Sequence, residues 1–145
     1  MAKKKKRKVG NTAAKTMGWL RKKGYTVAKV ERWNPFVGIR QDLFGFIDLI
    51  AIHPKRTGVL GVQTTHSNFF DEHKNKLREP KIKKHVLTWL QGDNRVWLFG
   101  WAKYWKADGS ERKVFAPEVK EVTLGISNPK RLVFSDVEEI KNVDK

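Results

Sequence analysis

Two apolar segments joined by a short loop constrain this chain most strongly. Residues 45–52 (GFIDLIAI) and 58–65 (GVLGVQTT) flank the sequence HPKRTG, which is typical of a turn between two antiparallel strands. A pairing that is symmetric about the centre of this turn sets Asp48 opposite Gln63. Because directly opposed side chains lie roughly 5 Å apart, the pattern predicts a carboxylate beside an amide within an otherwise apolar sheet.

Two interpretations of this pair stay open at the level of sequence. Polar groups inside an apolar sheet need partners, and a hard cation such as Mg²⁺ or Mn²⁺ would coordinate the oxygen atoms of both Asp48 and Gln63. The alternative is structural, with a hydrogen-bonded aspartate near a strand end and a solvated glutamine. The first interpretation predicts a metal site, and the second predicts none.

The charge of the chain indicates a polyanionic partner. Its net charge is +16, from 31 basic and 15 acidic residues, and such a field attracts nucleic acid first and anionic membrane surfaces second. The predicted nucleic-acid-binding residues are Lys3, Lys4, Lys5, Lys6, Arg7, Lys8, Lys81, Lys83 and Lys84. The run at 3–9 (KKKKRKV) also resembles a nuclear import signal, and an added tag looks the same, so a nuclear location is one of three open interpretations.

Several classes of protein are disfavoured. No run of about 18 apolar residues predicts a transmembrane helix, and no apolar segment follows the basic run as it would in a secretory signal. The chain has no cysteine, so we expect neither a disulfide framework nor a cysteine zinc site, and we expect an intracellular location without a membrane partner.

The remaining signals alternate between helix and strand. A helix is predicted from Asn11 or Thr12 to about Lys23, where Gly24 is a natural stop. Strands are predicted at 25–33, 45–52, 58–65, 95–105 and 113–124, a loop at 34–41, helices at 69–77 and after Pro80, and an amphipathic helical stretch at 134–140. This α-β-β-β-α-β-β order predicts an α/β fold with helices flanking a mixed central sheet. We expect a disordered basic tail at 1–10, one domain at 11–125 and a C-terminal extension at 126–145.

The element order and several strings carry a family resemblance. The strings are DLFGFIDLIAI at 42–52, VQTT at 62–65, Asn68, and GWAK at 100–103 with Pro117 and Glu121. Together they resemble the PD-(D/E)XK nuclease superfamily, in particular Holliday junction resolvase-like proteins and small phage nuclease-like proteins. The resemblance implies a restriction-endonuclease-like αβββαββ core. In this alignment Asp48 matches the family's aspartate, and Gln63-Thr64-Thr65 occupies the Glu-x-Lys position.

The resemblance also implies a function, which is Mg²⁺-dependent or Mn²⁺-dependent hydrolysis of DNA phosphodiester bonds, with branched or nicked DNA as targets. It implies Asp48, Gln63 and Thr65 as catalytic residues, a homodimer, and the cytoplasm of a phage-infected host. Two departures follow from the residues present: Thr65 replaces the family's lysine, and Gln63 replaces its glutamate.

Nearby residues are candidates to make up for these departures. Asp42 and Glu31 are further metal-ligand candidates beside Asp48 and Gln63. His73, Lys74 and Lys76 are candidates to supply the positive charge that Thr65 lacks. Each of these five residues has an alternative as a solvated surface residue. The alternative function is a nucleic-acid-binding protein that keeps the nuclease fold without its chemistry, and RNA is a further candidate partner.

Overall fold

The computed structural model describes residues 11–105 and 113–137. The helices are α1 (Thr12–Lys22), α2 (Phe70–Arg78) and α3 (Pro80–Gln91), with a short 3₁₀ turn at Ser67–Phe69 before α2. The strands are β1 (Thr26–Lys29), β2 (Arg32–Asn34), β3 (Ile39–Gln41), β4 (Leu49–Ile52), β5 (Leu60–His66), β6 (Arg95–Trp105), β7 (Lys113–Leu124) and β8 (Leu132–Asp136). The basic tail at 1–10, the stretch 106–112 and the end of the C-terminal extension after 137 lie outside the described residues.

Six strands form one mixed sheet in the order β1-β4-β5-β6-β7-β8. Only the β5–β6 pair is parallel among the strand pairs of the described residues, as expected when α2 and α3 provide the crossover between them. Strands β2 and β3 pair with each other in a separate two-stranded ribbon. The prediction of an α/β chain with a mixed sheet is confirmed.

Helices cover both faces of this sheet. Leu20 of α1 packs with Val62 and Trp97 on one face. Leu77 of α2 and Val86 of α3 pack with residues such as Val96 on the other face, because neighbouring residues of a strand point to opposite sides. No helix among the residues described is long and apolar enough to cross a bilayer.

Local signals predicted several elements correctly. The side chain of Asn11 caps α1 by accepting a hydrogen bond from the N–H of Ala14 at 3.1 Å, and Gly24 follows the helix with a φ of 91°. The predicted hairpin register is also confirmed, since Leu49 pairs with Val62 and Ile50 with Gly61. The ladder ends at Leu49, and the N–H of Asp48 donates to the carbonyl of Val62 at 2.8 Å, so the predicted pairing of Asp48 with Gln63 lies outside it.

Three predicted elements differ from the structure. The strand expected at 25–33 is broken after β1, where the N–H groups of Val30 and Glu31 both donate to the carbonyl of Asp48 at 3.0 and 3.2 Å. The strand expected at 45–52 begins only at Leu49. The loop expected at 34–41 contains β3.

The helix expected at 134–140 is wrong over its described residues. Residues Leu132–Asp136 form strand β8 and pair with the last five residues of β7. Leu132 is buried and Phe134 packs against the core on the same side, so a period of two governs this segment instead of a helical period.

A buried hydrogen-bond network fixes α1 on the sheet. The hydroxyl of Thr16 donates to the carbonyl of Thr12 at 2.7 Å. It then accepts from the hydroxyl of Thr64 at 2.8 Å and from Trp101 Nε1 at 2.9 Å. Because Thr12 and Thr64 both line the cleft described below, this network also positions the candidate site.

Replacing Thr16 by valine is expected to destabilise the fold. The substitution keeps the shape of the side chain but leaves the Thr64 hydroxyl and the Trp101 N–H buried without their acceptor, which costs about 1–3 kcal/mol. Urea denaturation measures this loss, and Thr123→Val on the exposed side of β7 serves as the control. Equal stability of the Thr16 and Thr123 variants would contradict the role given to the network.

Candidate metal centre

An open cleft of about 780 Å³ lies where the start of α1 meets the ends of β1, β3 and β5. Its wall contains the carboxylates of Glu31, Asp42 and Asp48. One carboxylate oxygen of each residue lies within 4.8 Å of the other two. Three separate parts of the chain supply them: the break after β1, the end of β3 and the residue before β4. Such a set of oxygen atoms suits a hard divalent cation.

Asp48 is the most buried member of this carboxylate cluster, with 6% of its surface exposed. Its Oδ2 accepts a hydrogen bond from the backbone N–H of Thr64 at 2.9 Å, and its own N–H donates to the carbonyl of Val62 at 2.8 Å. Burial, followed by the hydrogen bond and charge of Asp42, raises the pKa of Asp48 to about 8. Without a cation, Asp48 is therefore protonated at neutral pH.

The pKa of Asp42 shifts in the opposite direction, because this carboxylate shares a hydrogen bond with Asp48 and lies beside Lys76. Burial alone would raise the pKa of Asp42, but the hydrogen bond with Asp48 and the charge of Lys76 outweigh burial and lower it. The ammonium group of Lys76 lies 3.1 Å from Asp42 Oδ2. The cluster without metal therefore carries a proton on Asp48 and a charge on Asp42, which limits repulsion between the carboxylates.

Two cationic side chains and two histidines surround the carboxylates. Arg40 lies 3.4 Å from Glu31 and, with Lys29, lines the cleft. His66 and His73 line it as well, and burial, reinforced by the charge of Lys76, lowers the pKa of His73. The cleft therefore combines oxygen ligands for a cation with groups that can bind an anion.

The structure separates Gln63 from the cluster. Gln63 is 1% exposed, and neither of its amide atoms has a hydrogen-bond partner within residues 11–105 and 113–137. It is not among the residues that line the cleft, and the alternation along β5 directs its side chain to the face covered by α2 and α3. Its assignment as a metal ligand stays a prediction. Thr65, which is 7% exposed, does line the cleft.

No protein-family model, curated protein or solved structure matches this chain. The candidate site therefore rests on its own geometry.

The other predicted residues fall in different places. Of the candidate cations on α2, Lys76 contacts the cluster, whereas Lys74 lies over the ring of Phe70 and near Asp71. Lys81 is exposed on α3, and Lys83 and Lys84 line a second, shallow groove of about 440 Å³ with Lys130. The tail residues Lys3, Lys4, Lys5, Lys6, Arg7 and Lys8 lie outside the described residues.

Sequence reasoning missed two cationic residues at the cleft, Lys29 and Arg40. Lys29 pairs with Leu49, so it sits beside Asp48 only because β1 and β4 pair in that register. Arg40 reaches the cleft because residues 39–41 form a strand. The signal that would have found Arg40 is its alternation with Asp42, two residues later in the chain.

Proposed function

We propose that this protein is a metal-dependent endonuclease that hydrolyses DNA phosphodiester bonds on a restriction-endonuclease-like αβββαββ core. Glu31, Asp42 and Asp48 would hold Mg²⁺ or Mn²⁺. The observation that carries the proposal is the convergence of these three carboxylates from separate parts of the chain. Grouped carboxylates repel one another and become difficult to ionise, and a divalent cation removes that difficulty.

The contrast between the cluster and the rest of the chain supports a nucleic-acid substrate. The net charge of +16 attracts a polyanion, yet ionised carboxylates at the centre of the cleft would repel its phosphates. A bound cation reverses the sign of the interaction at that point. Lys29 and Arg40, on the wall of the same cleft, are placed to contact the phosphates on either side.

The residues at the carboxylate cluster, with Lys76 beside Asp42, have separable roles in this proposal. A divalent cation, when bound, supplies Lewis acidity to a phosphate oxygen and lowers the pKa of a coordinated water. Lys76 would stabilise the charge that develops on the phosphate, a role that the uncharged Thr65 cannot take. The Thr65 hydroxyl would orient water through a hydrogen bond.

A second candidate function is nucleic-acid binding without cleavage. Two observations favour it: Thr65 stands where the resemblance expects a lysine, and Gln63 is buried away from the cleft. A binding protein of this kind keeps the basic surface and the fold. It needs no ordered cation for its affinity.

The nuclease requires a divalent cation for cleavage, whereas the binding protein requires none for its affinity. The test therefore measures metal binding and cleavage in parallel. We expect Mn²⁺ anomalous density between Glu31, Asp42 and Asp48 in soaked crystals. We also expect Mg²⁺-dependent or Mn²⁺-dependent nicking of duplex, branched or single-stranded DNA that EDTA stops. Salt-sensitive DNA binding without cleavage under every metal condition would support the binding protein, and competition with RNA would identify the preferred nucleic acid.

A further inference from the structure

The β2–β3 ribbon carries an unusual group of exposed apolar side chains. Phe36 at its tip is 95% exposed, Val37 59%, Trp33 58% and Ile39 53%. The ribbon pairs with no strand of the main sheet. Large apolar side chains grouped on one exposed element typically mark a binding surface.

Local hydrogen bonds shape the tip of the ribbon. The side chain of Asn34 accepts a hydrogen bond from the N–H of Phe36 at 2.9 Å, and the carbonyl of Asn34 accepts one from the N–H of Gly38 at 2.9 Å. Gly38 adopts a φ of 65°, which favours glycine. These bonds restrain the backbone that carries Phe36, which lowers the backbone entropy lost on binding.

One face of the ribbon continues into the metal centre. Trp33 pairs directly with Arg40, so their side chains share a face, and alternation places Glu31 and Asp42 on that same face. The contact of 3.4 Å between Arg40 and Glu31 agrees with this assignment. Trp33 lies two residues from Glu31, about 7 Å along the strand.

We propose that the β2–β3 ribbon is a base-stacking arm that binds unpaired bases of the nucleic acid in the cleft. Trp33 and Phe36 would stack on bases, while Arg40 contacts the adjoining phosphate. Fully paired duplex hides the faces of its bases, so the substrate class is nucleic acid with single-stranded or distorted segments beside the metal centre. The inference rests on the proposed function only in that the cleft receives nucleic acid.

Charge favours nucleic acid over other occupants of this surface. Residues 32–41 contain two arginines and no acidic residue, so the ribbons of two copies of this chain would bring like charges together. The same basic character suits phosphate, and the face of the ribbon that carries Trp33 and Arg40 leads to the cleft, which combines candidate cation ligands with anion-binding groups. The test must therefore distinguish nucleic acid from two other occupants of this surface, a second copy of the chain and an anionic membrane.

The test measures binding in EDTA, where no cleavage occurs, to gapped, single-stranded and fully paired oligonucleotides that carry 2-aminopurine. We expect Phe36→Ala to weaken binding of the gapped and single-stranded probes about tenfold and to reduce the quenching of 2-aminopurine. Binding to the paired duplex should change little. Ile126→Ala, at a fully exposed position between β7 and β8, is the matched control and should bind like the parent.

Phe36→Leu keeps apolar area but removes the ring, so it should behave like Phe36→Ala. Equal binding by Phe36→Leu and the parent would overturn the stacking arm. The stacking arm would also be overturned if Phe36→Ala bound the oligonucleotides like the parent and lost only self-association, measured by light scattering, or only pelleting with phosphatidylserine vesicles. If Phe36→Ala weakens binding but the parent never cleaves with metal, the arm stands and the nuclease proposal fails. If the parent cleaves DNA with metal but Phe36→Ala binds as tightly as the parent, the nuclease proposal stands and the stacking arm fails.

Discussion

Asp48→Asn is expected to reduce metal-dependent cleavage strongly and, at the same time, to stabilise the folded protein at pH 8. The asparagine oxygen can still accept the hydrogen bond from the N–H of Thr64, and its amide can donate to Asp42 as the protonated carboxyl does. The variant therefore keeps the contacts of the metal-free cleft while losing the anionic ligand. We expect cleavage to fall about a hundredfold or more, as it does when a central electrostatic group is removed.

The stability gain depends on pH in a defined direction. The pKa of Asp48 is about 8 in the folded chain and near 3.8 in the unfolded chain. Between these values the folded state holds a proton that the unfolded state lacks. The stability contributed by this group is therefore complete below about pH 4 and is lost as the pH rises through 8. Asparagine does not titrate, so the free energy of unfolding of the variant relative to that of the parent should increase steadily from pH 5 to 8. The difference should reach about 2 kcal/mol or more.

Thermal denaturation at pH 5, 6, 7 and 8, with and without Mg²⁺, measures both effects. Saturating Mg²⁺ should stabilise the parent at pH 8 by mass action and leave Asp48→Asn unchanged. Asp71→Asn, whose parent side chain is 93% exposed on α2, controls for the loss of one negative charge. Parallel stability curves for the parent and Asp48→Asn across this pH range, or an equal response to Mg²⁺, would contradict the assignment of Asp48.

The sequence predicted the position of Asp48 beside β5, because this position depends on the pairing of two strands that are neighbours in the chain. The turn signals between β4 and β5, together with the symmetry of the two apolar segments, predicted the register of this hairpin. That register places the carboxylate of Asp48 against the N–H of Thr64. Alternation alone could not show that Asp48 lies just before its strand, where the carboxylate turns toward the cleft while Gln63 stays buried on the other face.

The other two carboxylates of the cluster depend on contacts between distant residues. Glu31 reaches the cluster only because the chain leaves β1 at Val30 and both Val30 and Glu31 bond to the carbonyl of Asp48. Asp42 reaches it because β3 pairs back on β2. Neither pairing has a local signal as strong as the β4–β5 hairpin. The sequence therefore indicated Glu31 and Asp42 as ligand candidates only because they carry carboxylates. That they converge on Asp48 is seen only in the structure.

The segment at 134–140 shows a different limit of sequence patterns. Its apolar residues fit a helical stripe as well as a strand, because a short segment contains few repeats of either period. The available edge of β7 decides the outcome, since β8 pairs there with residues 120–124. Tertiary pairing overrides a weak local preference in this case.

Lys76→Met is expected to separate metal binding from catalysis. Lys76 lies 3.1 Å from Asp42 and is the cation on α2 that contacts the cluster within the described residues. Removing its charge leaves Asp42 without a competing partner, so Mn²⁺ should bind at least as tightly as in the parent. Cleavage should nevertheless fall about 10²–10³-fold, because a positioned charge that stabilises the transition state is worth that much.

Parallel Mn²⁺ titrations and single-turnover cleavage assays at saturating metal measure the two effects separately. Lys74→Met is the matched control, because Lys74 lies two residues earlier on α2 and contacts Asp71 and the ring of Phe70 instead of the cluster. Lys76→Arg should recover part of the rate, since it restores the charge with a different shape. Cleavage by Lys76→Met at the parental rate would mean that Lys76 does not replace the lysine missing at Thr65. Loss of Mn²⁺ binding in Lys76→Met would instead assign Lys76 to the architecture of the carboxylate cluster.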